Sequence, residues 1–115
     1  MKTVAILGST GSIGKNALKV ISRLKDKFKV IALATGANES LFAEQIREFR
    51  PRLAAIMDQT KFSFLKRRLN STTKLLSGQE GIEQIASSGA DIVVMAIGGS
   101  AALLPTLKAL GKTKR

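Results

Sequence analysis

Short apolar runs alternate with segments of helical periodicity along the chain, and this alternation limits the possible folds more than any other feature. Most of the runs are nearly continuous in apolar residues, which is typical of strands that are buried on both faces of a parallel sheet. The runs lie at residues 3–7, 28–34, 53–57, 73–76 and 91–97, and the fourth is the weakest. The pattern predicts an α/β fold.

Five further segments place their apolar residues at helical spacing. We expect the first helix to bury one stripe, the second to be capped by Asn38 or Ser40 and to end before Pro51, and the fifth to begin near Leu103. We expect these elements to form a Rossmann-like, doubly wound parallel sheet in three α/β/α layers, with strand order 3-2-1-4-5. The stripe of the first helix comprises Ile13, Ala17, Val20, Ile21 and Leu24.

Composition excludes several kinds of chemistry. The 115 residues include no His and no Cys, which rules out a Ser-His-Asp triad, a thiolate nucleophile, a Cys/His zinc site and a disulfide. A chain with 44% hydrophobic residues can bury the core of one domain, so we treat residues 1–115 as a single domain. No apolar run approaches the length of a membrane span, and Met1 begins no signal-like segment, so we expect a soluble, cytoplasmic protein.

The charge is strongly positive, with 19 Lys and Arg against 8 Asp and Glu, or +11 in total. A nucleic-acid interface would combine such charge with aromatic side chains that stack on bases. Here the basic residues are dispersed, and no aromatic residue lies within the run Lys66-Arg67-Arg68. The distribution favours a solvated basic surface over a nucleic-acid interface.

The most informative motif is the run of residues 8–14, Gly-Ser-Thr-Gly-Ser-Ile-Gly, between the first predicted strand and the first predicted helix. Gly8 suits the tight turn, Gly11 lets backbone approach a phosphate, and Gly14 lets the helix pack close to the sheet. The first amides of the helix have no intrahelical partner and favour an anion, and Thr10 and Ser12 add hydroxyl groups. In this context the spacing G-x-x-G-x-x-G predicts a dinucleotide site rather than a Walker A loop.

Two other loops follow strands of the same predicted sheet. After the second strand the chain reads Thr35-Gly36-Ala37-Asn38, where NAD-binding proteins usually carry an acidic residue that binds the ribose 2′-hydroxyl. The lack of a carboxylate there favours NADP over NAD, although Asn38 also suits a helix cap. After the fifth strand, the small residues that begin at Ala96 could let backbone approach the nicotinamide half of a cofactor.

These segments, together with the run from Met95 through Thr106, resemble the amino-terminal domain of the 1-deoxy-D-xylulose 5-phosphate reductoisomerases over essentially the whole chain. The resemblance implies NADPH as cofactor, and it implies Mg²⁺ or Mn²⁺, a phosphosugar substrate and a homodimer for the parent enzyme. It assigns Thr10, Gly11, Ser12 and Ile13 to the pyrophosphate, Gly36, Ala37 and Asn38 to the adenosine ribose and 2′-phosphate, and Ala96, Ile97 and Gly98 to the nicotinamide side. Gly8 and Gly14 complete the expected cofactor-binding set.

The family's metal ligands and Asn-Lys-Glu segment correspond to sequence beyond residue 115, so we expect no catalytic residue and no metal ligand in this chain. We therefore interpret it as a fragment of a longer NADPH-dependent oxidoreductase of the non-mevalonate isoprenoid pathway, inactive alone. Two alternatives remain at this stage. One is the cofactor domain of another NADP reductase, such as aspartate-semialdehyde dehydrogenase, and the other is a non-enzymatic module that binds polyanions through its basic surface.

Overall fold

A computed structural model describes residues 1–96 and the backbone of residues 102–104. Within these residues, six strands and four helices follow one another. The strands are β1 (Lys2–Leu7), β2 (Phe28–Thr35), β3 (Leu53–Ile56), β4 (Lys74–Ser77), β5 (Ile92–Met95) and β6 (Ala102–Leu104), and the helices are α1 (Ser12–Arg23), α2 (Glu39–Phe49), α3 (Phe62–Arg68) and α4 (Gly78–Ala86), with a short 3-10 turn at Gln59–Lys61. The predicted α/β fold is confirmed, and the described helices are too short and too polar to cross a lipid bilayer.

The strands form one sheet in the order β4-β3-β2-β1-β5-β6, and β1 to β5 are parallel. The predicted order 3-2-1-4-5 is therefore wrong, because β4 pairs with β3 at the sheet edge instead of lying between β1 and β5. The reason is that α3 packs on the same sheet face as α1 and α2, so the right-handed crossover after β3 continues outward to β4. The next helix, α4, packs on the opposite face. Only after α4 does the chain return across β1 to form β5.

Three layers are present, as predicted. One core lies between the sheet and α1, α2 and α3, and includes Leu18, Phe42, Ile46 and Leu65. The second core lies on the other face, where α4 contributes Ile85. Successive strand residues supply the two cores in turn, which explains why the strands are apolar on both faces.

The first helix differs from its predicted orientation. Leu18 and Ile21 are buried, whereas Val20, predicted as part of the buried stripe, is 53% exposed. The cause lies in Gly14, which packs directly on the Gly8 carbonyl and so fixes the rotation of α1 about its axis. Residues four and seven positions after Gly14, Leu18 and Ile21, then face the sheet.

The prediction of a fifth helix from Leu103 is also wrong at its start. Residues 102–104 form β6, which pairs antiparallel with β5, Leu104 lying opposite Val93. This pairing supplies partners to the backbone groups at the open edge of β5, and it outweighs the helical spacing of the leucines. The remainder of that predicted helix, from Pro105 onward, lies outside the described residues.

Candidate cofactor-binding site

The glycine-rich loop connects β1 to α1 at the carboxyl edge of the parallel strands, as predicted. Gly8 has φ of +92°, a conformation that residues with a side chain rarely adopt. Its amide and the amide of Ser9 both donate to the carbonyl of Ala34, at 2.8 and 3.0 Å. The amide of Gly11 then donates back to the Gly8 carbonyl at 3.2 Å, which closes the turn.

Two of the three glycines allow close backbone approach within the protein. A Cβ atom on Gly14 would lie 2.1 Å from the Gly8 carbonyl oxygen and 2.7 Å from Ser9 Cα. A Cβ atom on Gly8 would lie 2.6 Å from the carbonyl oxygen of Ala96, which follows β5. Gly14 therefore packs α1 against the loop, and Gly8 packs the loop against the end of β5.

Gly11 has a different environment. It is exposed, its φ of −76° is open to any residue, and a Cβ atom there would meet only the Gly8 carbonyl oxygen at 3.6 Å. It is also the residue at the N-cap of α1, and within the described chain no side chain caps the first amides of this helix. Those amides have no intrahelical acceptors, and the first turn holds no acidic residue, so this end of α1 suits an anion.

The loop after β2 lies next to the glycine-rich loop. The hydroxyl groups of Thr10 and Thr35 are hydrogen-bonded to each other, which joins the two loops directly. Thr35 is buried, whereas Gly36, Ala37 and Asn38 are exposed. Asn38 caps α2, because its Oδ1 accepts from the amide of Leu41 at 3.2 Å. The capping role expected for Asn38 is confirmed, and it leaves the Nδ2 group of that side chain for other contacts.

The carboxylate nearest in sequence to this loop is Glu39, and two cations partly neutralise it. Its side-chain oxygens lie 3.7 Å from Lys61 Nζ and 3.8 Å from Arg68 Nε. A hydrogen bond from the Ser40 hydroxyl, helped by these two cations, lowers the pKa of Glu39 below its ordinary value. Glu39 is therefore ionised and held towards Lys61, which precedes α3, and Arg68, the last residue of α3.

The end of β5 meets the glycine-rich loop. The amide of Ala96 donates to the carbonyl of Leu7 at 2.8 Å, beside the close contact of Ala96 with Gly8. The helices change sheet face between α3 and α4, so the carboxyl ends of β1 and β5 flank the topological switch point, where open α/β sheets bind ligands. Ile97 and Gly98, also predicted to contact the cofactor, lie outside the described residues.

Sequence reasoning missed two features of this site. Gln45, on α2, is buried and hydrogen-bonded to Ser9 of the glycine-rich loop. The only signal for it was its position on the same helical face as Phe42, Ile46 and Phe49. The second feature is Met57, which is 44% exposed directly after β3 and whose amide donates to the Thr35 carbonyl.

The described residues do not supply a metal site. Within residues 1–96 and 102–104, no three His, Cys, Asp or Glu side chains converge as metal ligands would. Asp91, which precedes β5, lies at the amino-terminal edge of the sheet, where its carboxylate accepts from the amide and hydroxyl of Thr3. The donor set in this part of the chain does not fit Mg²⁺ or Mn²⁺.

Comparison with known proteins identifies the family. The family model for 1-deoxy-D-xylulose 5-phosphate reductoisomerase matches residues 4–115. The chain is 47% identical over 116 aligned positions to the reductoisomerase of Thermodesulfovibrio yellowstonii, covering 98% of this chain and 30% of that protein. It is 43% identical over 110 positions to the enzyme of Caldanaerobacter subterraneus subsp. tengcongensis, covering 96% and 29%.

Solved structures agree with this result. The Zymomonas mobilis reductoisomerase in complex with NADPH superimposes with a TM-score of 0.77 at 33% identity, covering 80% of this chain and 24% of that one. A reductoisomerase with NADPH, fosmidomycin and magnesium gives 0.76 at 29% identity, covering 81% and 24%. The chain thus spans about 30% of the length of the curated relatives it matches. Its sequence, its sheet and its glycine-rich loop together show that it belongs to the 1-deoxy-D-xylulose 5-phosphate reductoisomerase family.

Proposed function

We propose that this chain is the NADPH-binding domain of a 1-deoxy-D-xylulose 5-phosphate reductoisomerase. The observation that supports this most directly is the glycine-rich loop at the carboxyl edge of β1, followed by a helix whose first amides lack both a side-chain cap and a neighbouring acidic residue. The fold similarity to a reductoisomerase in complex with NADPH adds independent support. NADPH supplies the hydride when it is bound.

Each part of the cofactor has a proposed position. The pyrophosphate lies against Thr10, Gly11, Ser12 and Ile13, where helix amides and hydroxyl groups donate to its oxygens. Gly8 and Gly14 shape this loop through their close contacts inside the protein. The adenosine ribose and the 2′-phosphate lie against Gly36, Ala37 and Asn38. The nicotinamide side lies against Ala96, Ile97 and Gly98.

The choice of NADP over NAD is supported by charge. The exposed loop residues Gly36, Ala37 and Asn38 carry no negative charge, so a 2′-phosphate meets no carboxylate from them. Glu39 follows directly, but its carboxylate lies beside Lys61 and Arg68. We therefore propose that the loop tolerates the two negative charges of a 2′-phosphate better than an acidic strand end would.

We extend the proposal to the reaction of the family. A protein of which this chain forms part would rearrange and reduce 1-deoxy-D-xylulose 5-phosphate to 2-C-methyl-D-erythritol 4-phosphate in non-mevalonate isoprenoid synthesis. Mg²⁺ or Mn²⁺ and the phosphosugar would be held by residues other than those described here. The homodimeric state and the cytoplasmic location stay predictions.

The proposal is tested by titrating the 115-residue chain with NADPH and with NADH in a calorimeter. We expect NADPH to bind with a dissociation constant below 1 mM, and Gly11→Val to weaken binding at least tenfold, or about 1.4 kcal/mol. The reason is that the valine side chain would occupy the space of the pyrophosphate, while in the free chain its Cβ atom makes only an ordinary contact of 3.6 Å with the Gly8 carbonyl oxygen. We expect stability to fall by no more than about 1 kcal/mol, the order of a lost helix cap.

Thr72→Val is the matched control, since Thr72 is exposed in the segment that leads into β4, at the opposite edge of the sheet. It should bind NADPH as the wild type does. An absence of binding heat at millimolar NADPH would contradict the proposed function. An unchanged dissociation constant in folded Gly11→Val would remove this loop from the site.

A further inference from the structure

Gln45 is a buried polar residue of α2 whose whole carboxamide contacts the glycine-rich loop. Its side chain is 6% exposed, and Ser9 is fully buried. The Ser9 hydroxyl donates to Gln45 Oε1 at 2.7 Å, and Gln45 Nε2 donates to the Ser9 carbonyl at 2.8 Å. From this geometry we infer that Gln45 is a positioning residue, which holds the glycine-rich loop in the conformation that receives the cofactor pyrophosphate. This inference rests on the function proposed above.

Gln45 is a polar residue among apolar core residues of α2. Gln45 lies beside Ile46 and one helical turn after Phe42, both of which are fully buried. Burying a carboxamide is costly unless its hydrogen bonds are made, and both of its polar atoms here bond to Ser9. The two bonds cross 36 positions of sequence, so they do not stabilise α2 itself. Their effect is to fix the loop.

Ser9 has each of its polar groups engaged inside the protein. Its amide donates to the Ala34 carbonyl at 3.0 Å, and Gln45 satisfies both its carbonyl and its hydroxyl. Of the next residues, Thr10 is half-buried, whereas Gly11 and Ser12 are exposed where α1 begins. Ser9 is thus the buried anchor of the segment proposed to touch the pyrophosphate, and Gln45 holds two of its three polar groups.

The same helix also begins at the other half of the proposed site. Asn38 caps the amino end of α2, and Gln45 lies seven residues further, about 10 Å along the axis. A rigid helix therefore links the loop at the adenosine 2′-position to the loop at the pyrophosphate. The hydrogen bond between Thr10 and Thr35 is a second link between the two loops. Gln45 accordingly sets the relative position of the two anionic subsites.

The test compares Gln45→Leu with two controls in the 115-residue chain. Ile46→Val removes a methyl group from the neighbouring core position and leaves both hydrogen bonds between Gln45 and Ser9 in place, so it controls for lost stability. Gln84→Leu changes an exposed glutamine on α4. We expect Gln45→Leu to raise the NADPH dissociation constant at least tenfold, because the binding-competent loop becomes a minor conformation. Both controls should stay within about twofold of the wild type.

Ser9→Ala is a milder second variant that removes only the hydroxyl bond, and we expect NADPH binding to weaken about threefold. Hydrogen exchange without cofactor gives a readout that is independent of binding. Gln45→Leu should speed amide exchange in residues 9–14 and leave that of β3 unchanged. Affinity and loop exchange equal to those of Ile46→Val would overturn the inference. If Gln45→Leu speeds amide exchange in the loop but the wild-type chain does not bind NADPH, only the proposed function is overturned.

Discussion

The packing of α1 on the glycine-rich loop can be tested with Gly14→Ala. The added Cβ atom would lie 2.1 Å from the Gly8 carbonyl oxygen, where an ordinary contact needs more than 3 Å, so α1 and the loop must separate by about 1 Å. The opposing groups are backbone atoms, which cannot rotate away as a side chain would. Overpacking of this kind costs about 1–3 kcal/mol, while the better helix propensity of alanine returns up to about 1 kcal/mol.

We therefore expect a net loss of about 1–2 kcal/mol, which lowers the Tm by about 4–8 °C for a domain of this size. Urea unfolding and thermal unfolding of the wild type and Gly14→Ala measure the change. Gly11→Ser is the matched control, since its Cβ atom makes only an ordinary contact of 3.6 Å with the Gly8 carbonyl oxygen, and it should stay within about 0.5 kcal/mol of the wild type. A Gly14→Ala variant as stable as the wild type, or more stable, would show that α1 does not pack on the loop in this way.

The remaining predictions concern charge. Ala37→Asp should shift binding preference from NADPH towards NADH. Ala37→Arg should strengthen NADPH binding by up to about fivefold, and by less at high salt. The same ratio of NADPH to NADH dissociation constants in the wild type and both variants would contradict this. Hydrogen bonds from the amide and hydroxyl of Thr3 lower the pKa of Asp91 in the folded chain. The contribution of Asp91 to stability is therefore complete above its unfolded-state pKa of about 3.9, and it is lost as the pH falls through the lowered folded-state pKa. Asp91→Asn should have a lower Tm than the wild type at pH 7, with the difference closing in acid; a constant difference would refute this.

The parts of the fold that the sequence predicted correctly depend on local pattern. The end of β1 at Leu7 and the start of α1 at Ser12 follow from an apolar run, a glycine-rich turn and a helical period within about 20 residues. The same is true of Asn38, whose capping role requires only its position before α2. These local signals were enough to locate the candidate site at the carboxyl edge of the sheet.

The errors arose where distant parts of the chain decide the outcome. The position of β4 beside β3 depends on α3 packing on the same sheet face as α1 and α2, where Leu65 is buried. The exposure of Val20 depends on the contact between Gly14 and Gly8. Neither contact leaves a periodic signal in the sequence.

The bond between Ser9 and Gln45 was missed for a related reason. A glutamine on an apolar helical face gives no indication of its partner, and the partner lies 36 positions away on another element. Likewise, β6 exists because β5 offers an open edge, not because residues 102–104 have a strong strand pattern. Sequence reasoning located the candidate site but not the contacts that hold it in place.

The proposed site places NADPH along the glycine-rich loop and the loop after β2. The most direct test is to follow backbone amide chemical shifts of the 115-residue chain during titration with NADPH. We expect the large shifts to concentrate in residues 8–14 and 35–38. Away from these loops, Arg47, Arg50 and residues 70–73 line a cavity of about 440 Å³. Shifts concentrated around that cavity, with residues 8–14 unchanged, would show that NADPH does not bind along the two loops.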